Sequence, residues 1–453
     1  MVARRPRGRW WSGPRLGAVG LTLAVLLGAS SSPGFGPVAD ASAGLTLAGA
    51  PTQVVATLAL PSHPLTPTFD PVNGLVYVSS QPPATAFDPV TVVSGTANGV
   101  AATARSGPDA QPPAYNNVSG NVYVSNAGSN NVTVLSGTNS SLLGTVPVGT
   151  DPWPGAYAQA NGYVYIPNHR SANVSVLRPS PLGLAATVTV GSGPGTPVYD
   201  PINTQLYVPN LGSSNLTAVS SSSERTVANI SLPDPPLSVN LDPINDELYV
   251  LLGGAGAGNL SIVSAARETV AETVHLGSGN LSAAFDLGKD TLYVTDPASD
   301  AVLVFYCQTN VLLATLTVGP QPGPIVYANA SGALYIIDNG TGTVSVLSDA
   351  TNAEIATVGL GTPSGAEPVG LAYDWETREV FVSVQGTGPG GSSGALVILG
   401  SSAPISWQAI LVGAIIAGLL VAVAAAAVWT AQRRRLSRQR QAPPPPPAVS
   451  PPA

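Results

Sequence analysis

The sequence predicts an all-β fold, a β-propeller of four-stranded blades, and three observations carry that reading. Eight times an aromatic residue sits between two β-branched or aliphatic residues: Val76-Tyr77-Val78, Val122-Tyr123-Val124, Val164-Tyr165-Ile166, Leu206-Tyr207-Val208, Leu248-Tyr249-Val250, Leu292-Tyr293-Val294, Leu334-Tyr335-Ile336 and Val380-Phe381-Val382. The steps between the aromatics are 46, 42, 42, 42, 44, 42 and 46 residues, and a repeat near that length built of short strands marks propeller blades. Glycine (49) and proline (44) are abundant while 44% of residues are hydrophobic. That composition suits many strands joined by tight turns and is too apolar for a disordered chain.

The elements follow in chain order. Residues 1–43 read as a signal peptide: five arginines precede an apolar run, Leu16 to Ala29, and small residues lead to Ala41-Ser42-Ala43, with cleavage near Ala43. An uncleaved N-terminal anchor is the alternative. Residues 44–51 are a linker, and the propeller occupies 52–402. Residues 405–430 read as a transmembrane helix. Ala409 to Val428 carries no charge, and Trp407 and Trp429 bracket it like interfacial anchors. Five arginines between Arg433 and Arg440 follow at once, which puts residues 431–453 in the cytoplasm and the propeller outside the cell membrane. The tail ends in proline-rich sequence, an extended polyproline segment.

Within the propeller the unit from 196 to 232 shows the pattern. Thr196 to Asp200 is a first strand, Asp200-Pro201-Ile202-Asn203 a turn, Gln205 to Asn210 the second strand, Asn215 to Ser220 the third and Arg225 to Leu232 the fourth. The turn returns as Asp70-Pro71-Val72-Asn73 and Asp242-Pro243-Ile244-Asn245. Tyr207-Val208-Pro209-Asn210 and Tyr293-Val294-Thr295-Asp296 carry a resemblance: the chain resembles the YVTN β-propeller repeat family over roughly residues 52–400. The resemblance implies an exported or surface protein and names no ligand.

Eight second strands give eight blades, with seven the alternative if one copy is degenerate. Thr52 to Leu58 reads as a fourth strand with no unit before it, and the last unit stops after three strands. The N-terminal strand is therefore expected to complete the last blade, which removes exposed edges.

Between residues 52 and 404 there are 7 basic and 23 acidic residues. So acidic a surface excludes non-specific nucleic-acid binding, which requires Lys and Arg. The single Cys307 excludes an intrachain disulfide, a CxxC metal site and a CxxCH haem attachment.

Chemistry is sought in the loops that gather on one face of the channel. Those leaving fourth strands carry His63, Asp109, Gln111, Asp151, Trp153, Asp234, Gln321 and Glu367; those between second and third strands carry His169, Arg170, Asp296, Asp300 and Asp338. Asp109, Asp151, Trp153, Asp234 and Glu367 are the expected ligand-binding residues, through an acidic funnel. The competing reading is that loops are polar because their backbone needs solvent. No catalytic residue, metal ligand or cofactor is assigned: three histidines and one cysteine show no ligand spacing, and no hydrolase elbow is present. Ten N-x-S/T sequons, at Asn117, Asn131, Asn139, Asn173, Asn215, Asn229, Asn259, Asn280, Asn329 and Asn339, are candidate glycosylation sites.

The function expected from the sequence is a non-enzymatic, membrane-anchored surface propeller for recognition, adhesion or envelope organisation, with a surface protein or glycan as partner. The alternative is a propeller enzyme of lactonase-like or metal-dependent hydrolase type. It requires polar residues from different blades to converge at the central channel.

Overall fold

The computed structural model describes residues 49–401, apart from 84–85, 254–257, 277–278, 280 and 388–391. The signal-peptide, transmembrane and tail readings lie outside the described residues. Among the described residues no helix is long and apolar enough to cross a membrane.

Among the described residues thirty-two strands, β1 to β32, form eight antiparallel sheets of four strands each. Blade 1 holds β2 (Thr68–Asp70), β3 (Leu75–Ser79), β4 (Pro89–Ser94) and β5 (Gly99–Arg105). Blades 2 to 7 follow in sequence over residues 114–147, 156–189, 198–231, 236–275, 283–317 and 322–359. Blade 8 joins β30 (Glu367–Asp374), β31 (Glu379–Gln385) and β32 (Gly394–Gly400) to β1 (Gln53–Leu60). The N-terminal strand thus closes the last blade, with Gln53 opposite Gly400 and Leu60 opposite Gly394.

In blade 4 the second and third strands run Gln205–Asn210 and Asn215–Ser220, as the repeat predicts. The first strand is shorter, Val198–Asp200, because Pro197 has no N–H to give to a ladder. Where third strands meet fourth strands the register shifts at one recurring place, as between Val92 and Val93 or Ala218 and Val219. Such bulges sharpen local twist. In blade 8 the shift falls between Val54 and Ala56, so Ala56, Leu58 and Leu60 face inward and Val54 lies exposed.

The repeat aromatics are the largest buried side chains. Each blade interface holds its own apolar cluster. The one joining blade 8 to blade 1 contains Phe381, Leu396 and Ile398 with Val76 and Val78, so the ring is closed by packing as well as by strand pairing. Burying a side chain of this kind contributes roughly 1.5–3 kcal/mol. In blades 1, 4 and 5 the tyrosine hydroxyl helps tie neighbouring blades together. Asn203 Nδ2 donates to Tyr207 Oη (2.8 Å), and that hydroxyl donates to the Ala265 carbonyl of the next blade (3.2 Å). In blade 1, Asn73 Nδ2 donates to Tyr77 Oη (2.9 Å) and to Gly137 O (3.0 Å) of blade 2.

The aspartates that open the first-to-second-strand turns are buried. Each accepts a backbone N–H two residues on, as Asp70 does from Val72 (2.9 Å) and Asp200 from Ile202 (2.8 Å). These turns share one face of the ring with the third-to-fourth-strand turns. The other face, called here the channel face, carries the second-to-third and fourth-to-first loops. There, in blades 2, 3, 4 and 7, the last residue of the second strand is buried and crosses its own hairpin. Asn210 Nδ2 donates to Asn215 Oδ1 (2.8 Å) and Thr217 Oγ1 (2.9 Å). A Cβ at Gly191, which ends the preceding blade, would lie 2.7 Å from Asn210 Cγ. That close approach explains the glycine after so many fourth strands.

Candidate functional site

On the channel face the fourth-to-first loops, except the one between blades 4 and 5, turn through a residue of positive φ. These include His63 (54°), Asp109 (54°), Asp151 (57°), Gly193 (62°) and Gln321 (54°). The left-handed position belongs to the architecture, because the carbonyl there accepts an N–H from the end of a second strand: His63 O from Gln81 (3.1 Å), Asp109 O from Ala127 (3.1 Å). Glycine tolerates this conformation best, and asparagine, aspartate and histidine adopt it more readily than glutamine does.

Two adjacent loops are clamped alike. Gln385 Nε2 donates to Pro64 O (3.1 Å) and Gln81 Nε2 to Ala110 O (2.9 Å). Asp88, 2% exposed, accepts the Ala110 N–H on Oδ2 (2.9 Å) and fixes the loop that presents Asp109. Gly128 leaves room for the Asp109 carboxylate: a Cβ there would lie 2.6 Å from Oδ2. Between these loops opens a cavity of about 290 Å³ lined by His63, Gln81, Asp88, Asp109 and Gln385, with Leu65 and three prolines as its apolar wall. Its residues come from blade 8, blade 1 and the loop into blade 2. A second cavity on this face, about 580 Å³, lies between blades 6 and 7. It is lined by prolines, Ser282, Gln321 and Asn339 and has no titratable group.

The structure scatters the other expected ligand-binding residues. Asp151 pairs with Arg170 (3.2 Å), and Trp153 stacks on His169 with ring centroids 4.5 Å apart. Asp234 Oδ2 accepts from Asn259 Nδ2 (2.8 Å), whose Oδ1 lies 2.8 Å from His275 Nδ1. Glu367 is exposed at the head of β30. Asp338 is buried and accepts from Thr343 (3.0 Å) and Ser345 (2.9 Å). Burial, outweighing those bonds, pushes its carboxyl up to about 6. Of the sequons, Asn131, Asn173 and Asn215 serve the rim hydrogen bonds, and Asn259 is 5% exposed. Asn280 lies outside the described residues.

Sequence reasoning missed Gln81, Asp88 and Gln385. It also missed a buried group on the opposite face, Asp242, Asp290 and Cys307, whose ligand atoms all lie within 4.8 Å of one another. Asn245 Nδ2 donates to Asp242 Oδ2 (2.7 Å) and to both Asp290 oxygens (3.1 Å). Burial first, and then the two carboxylates, push the Cys307 thiol up to about 12. The thiol is inert in that state, and the group forms a hydrogen-bonded seam between blades 5 and 6.

No family model matches the chain, and no curated protein matches it. Solved structures do. Hydrazine synthase of Kuenenia stuttgartiensis is similar at a TM-score of 0.50 and 16% identity, over 65% of this chain and 95% of that one. The dihydro-heme d1 dehydrogenase NirN, solved in complex with DHE, is similar at a TM-score of 0.57 and 14% identity, over 76% of this chain and 78% of that one. The fold class is an eight-bladed propeller. This finding corrects the expectation of a non-enzymatic molecule: both neighbours are enzymes, and the lack of a catalytic signature in the sequence no longer argues against catalysis. At these identities the likeness carries the fold, and no particular activity passes with it.

Proposed function

We propose that the protein is a propeller enzyme of hydrolytic type, acting on a small substrate in the channel-face cavity between blades 8 and 1. The observation that carries this reading is convergence: His63, Asp88 and Asp109 reach one cavity from two interblade loops and a hairpin. Histidine is the side chain suited to moving protons near neutral pH. In this reading the exposed His63 imidazole takes the proton of an attacking water, and the Asp109 carboxylate stabilises the imidazolium so formed. Asp88 positions the Asp109 loop. The cavity volume sits near the lower bound for small-molecule sites. Its acidic lining and proline wall favour a neutral, partly apolar ester or lactone over an anion.

The same reading takes the chain as an exported, YVTN-type propeller held outside the cell membrane by residues 405–430. The uncharged run and the one-sided arginines support it. The test is hydrolysis of a panel of lactones and p-nitrophenyl esters by the full-length protein. His63→Gln and Asp109→Asn are each expected to lower kcat/KM at least about 100-fold while leaving the melting temperature unchanged, since both side chains are exposed. Wild-type rates in both variants would overturn the assignment.

A further inference from the structure

We infer that the face opposite the candidate site, built of the first-to-second-strand turns, rests on the surface of a lipid bilayer. At the tips of these turns stand Val72 (46% exposed), Val118 (73%), Ile202 (55%), Ile244 (51%), Leu287 (51%) and Trp375 (49%). They come from six of the eight blades: the first four stand at the third residue of the turn, where the turns of blades 3 and 7 carry Ala160 and Ala330, and Leu287 and Trp375 stand one residue earlier, beside Gly288 and Glu376. Equivalent positions of a closed ring share one rim, so these side chains form an apolar crown around the channel mouth. No fold requirement demands it. The Asx turn uses only the aspartate carboxylate, and its third residue could be polar at no cost to the turn. Contiguous exposed apolar surface of this kind marks a contact site.

The path of the chain identifies the occupant. The third strand of a blade runs from the channel face toward the crown face, so β32 ends on the crown face at Gly400. Thr52 donates its N–H to Gly400 O (3.1 Å), so the chain also enters the propeller there. The uncharged run begins at Ala409, after eight intervening residues. Fully extended, those residues reach at most about 29 Å. This inference rests on the proposed reading of residues 405–430 as a membrane span, which at that distance would hold the crown near the bilayer at high effective concentration. Trp375 is also the residue type that favours the interfacial region. Among the crown-face turns, Lys289 pairs with Asp349 (3.0 Å) and Asp290 is buried, while Glu376, Arg378 and Arg267 remain exposed at the level of the lipid headgroups in this placement. The candidate site then faces away from the membrane, open to solvent.

The test uses the full-length protein reconstituted in phosphatidylcholine–phosphatidylglycerol vesicles. Val118→Cys, Ile202→Cys and Ile244→Cys are each labelled with an environment-sensitive fluorophore. Cys307, 1% exposed, does not compete for the label. The control is Val227→Cys, 51% exposed on the outer strand β17 (Arg225–Ser231). Lipid-borne doxyl quenchers are expected to quench the three crown labels at least threefold more than the control. Crown labels no more quenched than the control would overturn the inference. So would quenching between labelled copies that persists when the vesicles are diluted with lipid, since the crown would then be an interface between two propellers. Glycans found on Asn117 or Asn329, which lie on these turns, would also overturn it.

Discussion

Asp338 shows how one side chain carries both structure and pH sensitivity. It occupies the hairpin-crossing position that Asn126, Asn168 and Asn210 hold in blades 2 to 4. Those blades use a neutral amide there; blade 7 uses a carboxyl that burial pushes up to about 6. Asp70 is buried and pushed up to about 6 by the same cause. Burial likewise raises Asp200 and Asp290. A carboxyl whose value is raised in the folded state contributes stability that is fully present below its unfolded value, near 3.9, and lost as pH rises through the folded value. The melting temperature is therefore expected to fall as pH rises from about 4 to about 7. Asp338→Asn copies the solution of the neighbouring blades. It is expected to flatten that decline and to raise the melting temperature at pH 7 by roughly 2 °C. Scanning calorimetry of both proteins at pH 4, 5, 6 and 7 checks this. A variant with an unchanged pH profile would show that Asp338 is not a source of the slope.

At the scale of strands, the closing element is the sensitive one. Removing residues 52–60 would leave β32 with a bare edge and uncover Leu396 and Ile398, which pack with Leu58 and Leu60. Each lost ladder bond contributes about 0.5–1.5 kcal/mol net, against the roughly 5–15 kcal/mol that holds a domain together. The deletion is expected to lower the melting temperature by more than 10 °C, given a shift of roughly 2–4 °C per kcal/mol, and to promote association through the new edge. Calorimetry and light scattering check both effects; a monomer that melts like the parent would refute the closure. This element was legible in the sequence, because a lone fourth strand at one end and a three-stranded unit at the other leave one pairing. The strands of blade 4 were legible for a similar reason: alternating apolar residues and Asp-Pro turns punctuate them. The candidate site was only half legible. His63 and Asp109 stood out as loop residues on the right face. Their convergence did not, because Gln385 meets the Pro64 loop across 321 residues of chain, and spacing within a repeat carries no information about which loops share a seam. Trp153 and Asp151 looked equally promising, but the structure gives them partners in the next blade.

The whole molecule is polar in sequence and in direction. Its basic residues cluster at the two ends and its repeats are acidic. Protease added to intact cells is expected to digest the propeller and spare the arginine- and proline-rich tail, as antibodies to the two regions would show on a blot. Survival of the propeller would reverse the topology. The ring needs no disulfide to close: packing and a single strand complete it, and its one cysteine lies buried in the seam between blades 5 and 6.

The adjacency of Thr52 and Gly400 also decides how the molecule bears load. The two strands of the closure run antiparallel, and their free ends lie together. Tension applied between the two flanking segments would part β1 from β32 from that end, breaking ladder bonds one after another, as a zipper opens. Tension on the C-terminal side alone would instead draw on β32, which is held on both flanks by β31 and β1, so that many bonds share the force. Cleavage near Ala43 would leave only the second loading path. A chain beginning near Leu45 would thereby be loaded through β32 shared between two flanking strands rather than through the unzipping of β1.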